Sequence, residues 1–172
     1  MIMPRGQQLL LPVNPTFIAF SVALAFVLSL LPWSGYVWMP DLLMLVLAFW
    51  ALHHPNRMPM SVGFLLGLAV DVQQTSLLGQ HALTYVLVIY ASQRLSRRMM
   101  WFSLFTQAVQ MLPLFVLAAV LQMAIRMLAG GVFPGLSIAL APLFEMVLWP
   151  FLSVLLLAPQ RRAPDSDRDR PL

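Results

Sequence analysis

The chain has 172 residues, of which 60% are hydrophobic and only 9% are charged, and its formal net charge is +4 at pH 7. With a mean hydropathy of +0.84, it has more apolar surface than a soluble globular domain of this length can bury. Cysteine is absent, which excludes disulfides, thiolate metal sites and a cysteine nucleophile. These properties predict an integral membrane protein.

Six apolar stretches are candidate membrane spans, since a crossing takes about 20 apolar residues and fewer where the bilayer thins. In chain order they are Thr16–Leu31, Pro40–Leu52, Met58–Val72, Leu78–Ser92, Trp101–Leu128 and Ser137–Leu157. The third and fourth are the least secure, because each alone also fits a re-entrant segment. We predict one helical bundle over residues 1–157, followed by a Pro-, Asp- and Arg-rich tail, 158–172, that is disordered in the cytoplasm.

Positive charge falls in alternate gaps between these stretches. The arginines concerned are Arg5, Arg57, the Arg94–Arg98 loop and the pair Arg161 and Arg162. Cytoplasmic loops retain arginine and lysine, so the pattern predicts an even number of crossings with both termini cytoplasmic. Basic residues in such short clusters indicate contact with anionic lipid headgroups rather than with nucleic acid.

A stripe of small residues on the third helix ends in an acid. Gly63, Gly67 and Asp71 are four residues apart, and small residues at this spacing let a neighbouring helix approach closely. A carboxylate at a helix C-terminus opposes the helix dipole, so Asp71 needs a partner. We favour a packing seam with an ion-paired cap. A recognition or proton site at the end of the seam is the alternative.

Three more ionisable residues fall within the predicted spans: Asp41, Arg126 and Glu145. Charge at membrane depth is costly, so each should face the bundle or a polar partner. Arg126, near the outer end of the fifth helix, is predicted to pair with Asp71, with Asp41 as its second possible partner. Glu145 is predicted to hydrogen-bond a glutamine of the fifth helix, either as a core acid or as a proton relay or partner-binding group.

The remaining candidates indicate packing rather than catalysis. His81 is interpreted as a polar anchor, although it could titrate near neutral pH. Neighbouring helical side chains such as His53 and His54 point roughly 100° apart, and no third ligand is near, so no metal or cofactor is expected. On the first helix, Ala19 and Ala23 form one possible docking row for another helix, and Ser21, Ala25 and Ser29 form a second.

Five short segments carry a likeness to a known family. They are Pro40-Asp41, Ala51 to Arg57, Gly63 to Asp71, Leu78-Gly79 and Val147 to Pro150. In this order and spacing they resemble the MreD family of rod-shape-determining membrane proteins, in its Gram-negative form, over about residues 17–157. Gly63, Gly67 and Asp71 occupy the most recognisable family motif. Pro40 and Arg57, which frame the second helix, are further candidates for docking a partner.

The resemblance implies a non-enzymatic inner-membrane subunit of the cell-elongation machinery. Its implied partners are an MreC-like bitopic membrane protein, an MreB-like filament and the synthases of lateral-wall peptidoglycan. It also implies a fold similar to the S-components of energy-coupling-factor transporters, which dock a partner through small-residue rows on the first helix, as in the Ala19–Ala23 row. The alternative function is a small-molecule or lipid-binding carrier of that S-component type.

Overall fold

The computed structural model describes residues 14–31, 39–131 and 135–160. Within these ranges the chain is helical and contains no strand, which confirms the predicted all-α fold. The α-helices are α1 (Pro15–Ser29), α2 (Leu42–His53), α3 (Met60–Gln73), α4 (Gln80–Met99), α5 (Leu104–Leu128) and α6 (Leu140–Leu157). Short 3-10 turns cover Pro55–Arg57, Leu136–Ala139 and Ala158–Gln160.

The helices differ in their capacity to cross a bilayer. Among the described residues, two helical segments are both long and apolar enough to do so, Leu104–Leu128 and Ser137–Gln160. Helices α1, α2 and α3 are apolar but have only 15, 12 and 14 residues. Six crossings with cytoplasmic termini therefore remain a prediction. Arg5, Arg161, Arg162 and most of the predicted tail lie outside the described residues.

Helix α2 forms the centre of the bundle. Each residue from Leu43 to Leu52 is buried, as expected of a helix that is apolar on all its faces. Helices α1, α4 and α6 pack around it. The indole nitrogen of Trp50 donates a hydrogen bond of 2.8 Å to the hydroxyl of Ser21, which fixes α1 against α2.

Helix α4 is longer than predicted. It continues to Met99, so the stretch from Arg94 to Arg98 is helical, and its prediction as a loop was wrong. Two contacts hold this extension: the Ser96 hydroxyl donates to the Leu52 carbonyl, and the Gln93 amide donates to the carbonyls of Pro55 and Met58 at 3.2 and 2.7 Å. Basic side chains also suit the negative end of a helix dipole.

The same contacts define the two ends of the bundle. They bring the turn that carries Arg57 beside the end of α4, so Arg57 and the segment from Arg94 to Arg98 share one end, here called the basic end. The opposite end, here called the acidic end, holds the C-terminus of α3 and the N-termini of α2 and α4. The structure thus places Arg57 and the segment from Arg94 to Arg98 at one end, as the alternate-gap pattern predicts, whereas the side of the membrane on which they lie stays a prediction.

Candidate functional site at the acidic end

Asp71 joins the end of α3 to the start of α4. Its side chain is fully buried, and its Oδ1 accepts hydrogen bonds from the Ser76 hydroxyl at 2.8 Å and from the His81 backbone N–H at 2.9 Å. The same oxygen lies 2.7 Å from His81 Nδ1, and Oδ2 accepts from the Gly79 N–H at 2.9 Å. Asp71 therefore accepts hydrogen bonds from backbone N–H groups at the N-terminus of α4 that have no partner within the helix.

The structure corrects the predicted partner of Asp71. The residue in contact with its carboxylate is His81, whereas Arg126 is exposed on α5 and forms no salt bridge within the described residues, either with Asp71 or with Asp41. The reason is local: the turn between α3 and α4 passes through Gly79 at φ +100, a conformation that favours glycine, and folds the start of α4 onto the acid.

The glycines of the stripe lie in the contact between α3 and α4. A Cβ added to Gly67 would stand 2.8 Å from the carbonyl carbon of His81 and closer still to the backbone of Ala82. A Cβ on Gly63 would clash with the end of the Ile89 side chain but would lie at an ordinary contact distance of 3.6 Å from the Tyr85 backbone. The stripe thus packs within the chain and lets two backbones touch at Gly67.

A second group of polar residues, here called the carboxyl cluster, joins three helices through Asp41, Tyr85 and Glu145. Asp41 Oδ1 caps α2 by accepting from the Met44 N–H at 2.9 Å, and Oδ2 accepts from the Tyr85 hydroxyl at 2.7 Å. The Asp41 N–H donates to Glu145 Oε1 at 3.1 Å. Two acids from distant parts of the sequence therefore meet at the acidic end.

Glu145 has a different hydrogen-bond partner from the one predicted. Glu145 is buried, at 3% exposure, but its partner is the backbone of Asp41 rather than a glutamine of α5. Gln107 instead donates to the carbonyls of Met99 and Phe102, near the basic end. The second oxygen of Glu145, Oε2, has no hydrogen-bond partner among the described residues.

A cavity of about 670 Å³ adjoins the carboxyl cluster. Helix α5 contributes Gln122 and Arg126 to its lining, and the residue before Asp41, Pro40, also faces it. Most of the remaining lining is apolar.

The sequence offered no sign of Tyr85, since a tyrosine in an apolar helix is ordinary, although its spacing of four from His81 places both on one face of α4.

Of the predicted docking residues, Pro40 lines this cavity, whereas Ala19, Ala23 and Arg57 lie apart from it. Ala19 and Ala23 are exposed on α1, whereas Ser21 and Ala25 of the alternative row are buried towards α2. Arg57 is exposed at the basic end. The two rows on α1 therefore have different roles: one packs within the chain, and the other remains available.

Apolar helices packed around a buried central helix define the class as an all-α helical bundle. The chain matches the family described as rod shape-determining protein MreD over residues 12–158. It belongs to the MreD family, as the sequence resemblance indicated, and is thus a rod-shape-determining membrane protein.

One curated relative gives the same indication. The Rod shape-determining protein MreD of Haemophilus influenzae (strain ATCC 51907 / DSM 11121 / KW20 / Rd) is 43% identical over 77 residues, which are 44% of this chain and 47% of the relative. The matched part of the chain spans about half the length of that relative. No solved structure gives a significant match.

Proposed function

We propose that this chain is a non-enzymatic, multi-pass scaffold of the bacterial inner membrane. It binds the transmembrane helix of an MreC-like bitopic protein and keeps that protein close to an MreB-like filament and to the synthases of lateral-wall peptidoglycan. Membership of the MreD family supports this proposal. The structural observation that carries it is the exposed face of α1.

That face combines small and large apolar residues at helical spacing. Ala19 and Ala23 form a row that a partner backbone can approach closely. Beside them, the large side chains of Phe20, Leu24 and Val27 are 63%, 49% and 58% exposed. A second helix packed there would contact both the shallow groove formed by the small residues and the large side chains beside it.

The rest of the bundle holds α1 in place for such docking. Trp50 of the central helix donates to Ser21, on the buried side of α1. The Asp71 contacts and the Gly67 approach fix α3 on α4, and α4 packs on α2. Because these polar groups already have partners within the chain, they serve structure and leave recognition to the outer face of α1.

The basic end has a separate part in the proposal. Arg57, Arg97 and Arg98 are exposed there, and guanidinium groups bind phosphate and carboxylate strongly. In a cytoplasmic position these side chains contact anionic headgroups or an acidic surface of the filament assembly.

Co-purification with an MreC-like partner tests the scaffold. Ala19→Leu and Ala23→Leu fill the row, and each should lower the retained partner about tenfold, because bulky groups keep the helices apart. Ala124→Leu makes the same change at an exposed position on α5 and should leave retention unchanged. Equal retention by all three variants, with unchanged thermal stability, would contradict docking on α1.

A further inference from the structure

The cavity at the acidic end contains a buried carboxyl oxygen without a partner. Glu145 is 3% exposed, its Oε1 accepts from the Asp41 N–H, and its Oε2 has no partner among the described residues. Leaving a buried polar atom unpaired is unfavourable, and such atoms in native proteins usually meet a water or a ligand. Glu145 also lines the cavity, so a molecule bound there would lie beside a carboxyl group whose second oxygen is unpaired among the described residues.

Charge around this point favours a cationic donor. Asp41 and Glu145 both line the cavity, and within the described part of the chain the Asp41 carboxylate accepts from one backbone N–H and one hydroxyl. A protonated primary amine carries three N–H donors and a positive charge, and hydrogen bonds from a charged donor to a carboxylate are the strong ones.

The rest of the lining suits a molecule that is mostly apolar. A volume of about 670 Å³ lies within the range of roughly 300–1,000 Å³ that small-molecule sites occupy. Arg126, which is exposed, adds a guanidinium group to the same lining, so the cavity offers a partner to an anionic group as well as to an amine. The apolar part of the lining includes Leu28, Leu42, Phe115, Ala119, Met123 and Ile138.

We propose that this cavity binds a zwitterionic amphiphile: its primary amine donates to the carboxyl groups of Asp41 and Glu145, its anionic group meets Arg126, and its apolar part packs on the cavity wall. A membrane phospholipid with an ethanolamine headgroup has all three features, and free phosphoethanolamine shares the amine and the anionic group without the apolar part. The proposal concerns a site separate from the docking face of α1 and does not depend on the scaffold function.

Binding of short-chain lipids to the full chain in detergent tests the site. The probes are dihexanoyl phosphatidylethanolamine, its choline counterpart, whose quaternary nitrogen has no N–H, and free phosphoethanolamine, with native mass spectrometry as the readout. We expect the ethanolamine lipid to bind about tenfold more tightly than the choline lipid, because only the former can donate to the carboxylate. Equal binding of the two lipids, or binding of neither lipid nor of phosphoethanolamine, would overturn the proposal.

Two variants separate recognition from folding. Glu145→Gln keeps an oxygen for the Asp41 N–H but removes the charge, so the preference for ethanolamine should disappear while thermal stability holds. Ala119→Phe fills the cavity without altering its charges and should weaken both lipids. Gln110→Ala, outside the cavity lining, is the matched control and should bind like the wild type.

The remaining outcomes identify the ligand's source. Binding of free phosphoethanolamine with the same dependence on Glu145 indicates a soluble zwitterion, whereas binding of the lipid alone indicates a membrane phospholipid. An unaltered ethanolamine preference in Glu145→Gln would contradict the assigned contact. Co-purification of an MreC-like partner, measured on the same variants, reports on the scaffold function independently.

Discussion

The Nδ1 atom of His81 lies 2.7 Å from Oδ1 of Asp71, and the backbone N–H of His81 donates to that same oxygen at 2.9 Å. The Asp71 carboxylate thus contacts both the ring nitrogen Nδ1 and the backbone N–H of His81, which lies in the first turn of α4. The arrangement turns an acid that opposes the dipole of α3 into one that favours α4.

Removing this acid should destabilise the chain strongly. Asp71→Ala leaves the buried N–H groups of Gly79 and His81 without an acceptor, and we expect a loss of about 3 kcal/mol in the free energy of unfolding. Asp71→Asn should cost less, because its amide oxygen still accepts. Denaturant unfolding in detergent measures both, and Arg126→Leu is the control that should leave stability unchanged. If Arg126→Leu were as harmful as Asp71→Ala, the assigned pairing would be wrong.

The two glycines of the seam should differ in their tolerance of a methyl group. Gly67→Ala places a Cβ against the backbone of His81 and Ala82, so α3 and α4 must separate and the folded yield should fall severely. Gly63→Ala clashes only with the end of the Ile89 side chain, which can rotate, so this variant should fold. Size-exclusion profiles and melting temperatures compare them, and equal behaviour would argue against backbone contact at Gly67.

The hydrogen bond between Trp50 and Ser21 should show energetic coupling. Ser21→Ala leaves a buried indole N–H unpaired, which should cost about 1–3 kcal/mol. Trp50→Phe removes both the donor and packed volume, so its own cost is larger. A double-mutant cycle should give a coupling of about 1 kcal/mol, because either single replacement already breaks the hydrogen bond and the second one cannot break it again. Strict additivity would show that the contact does not hold α1 on α2.

The sidedness of the two ends can be tested directly, because the chain contains no cysteine. Single replacements R57C and R97C at the basic end should both react with an impermeant maleimide only after the inner face becomes accessible. R126C, on the far end of α5, should react from outside in intact spheroplasts. Labelling of R57C and R97C from opposite faces would contradict the alternate-gap topology.

Local features of the fold were predictable because they depend on residues close in sequence. The order of six apolar segments follows from their spacing, and the spacing of Gly63 and Gly67 indicates a helix contact. The extension of α4 was missed because arginines were assigned to a loop, although they stabilise a helix end as well. Its stability comes from contacts with Leu52 and Pro55, which sequence alone does not reveal.

The candidate site was less predictable because its partners come from separate helices. Glu145 and Asp41 are 104 positions apart, and their contact depends on how α6 and α2 pack on each other. Arg126 was predicted as the partner of Asp71 because both lie near the outer ends of their helices, whereas His81 was interpreted only as a polar anchor. The turn at Gly79, with its positive φ, instead places His81 within hydrogen-bond distance of Asp71.

The unequal lengths of the helices have a consequence for the surrounding lipid. At 1.5 Å per residue, the 15 residues of α1 rise about 22 Å and the 25 of α5 about 37 Å, against a hydrocarbon thickness of roughly 30 Å. If α1 crosses the bilayer as predicted, acyl chains beside it must compress, at an energy that grows with each ångström of mismatch. A partner segment packed along α1 would displace those compressed chains. Relief of the mismatch would then favour association in addition to any contact between side chains.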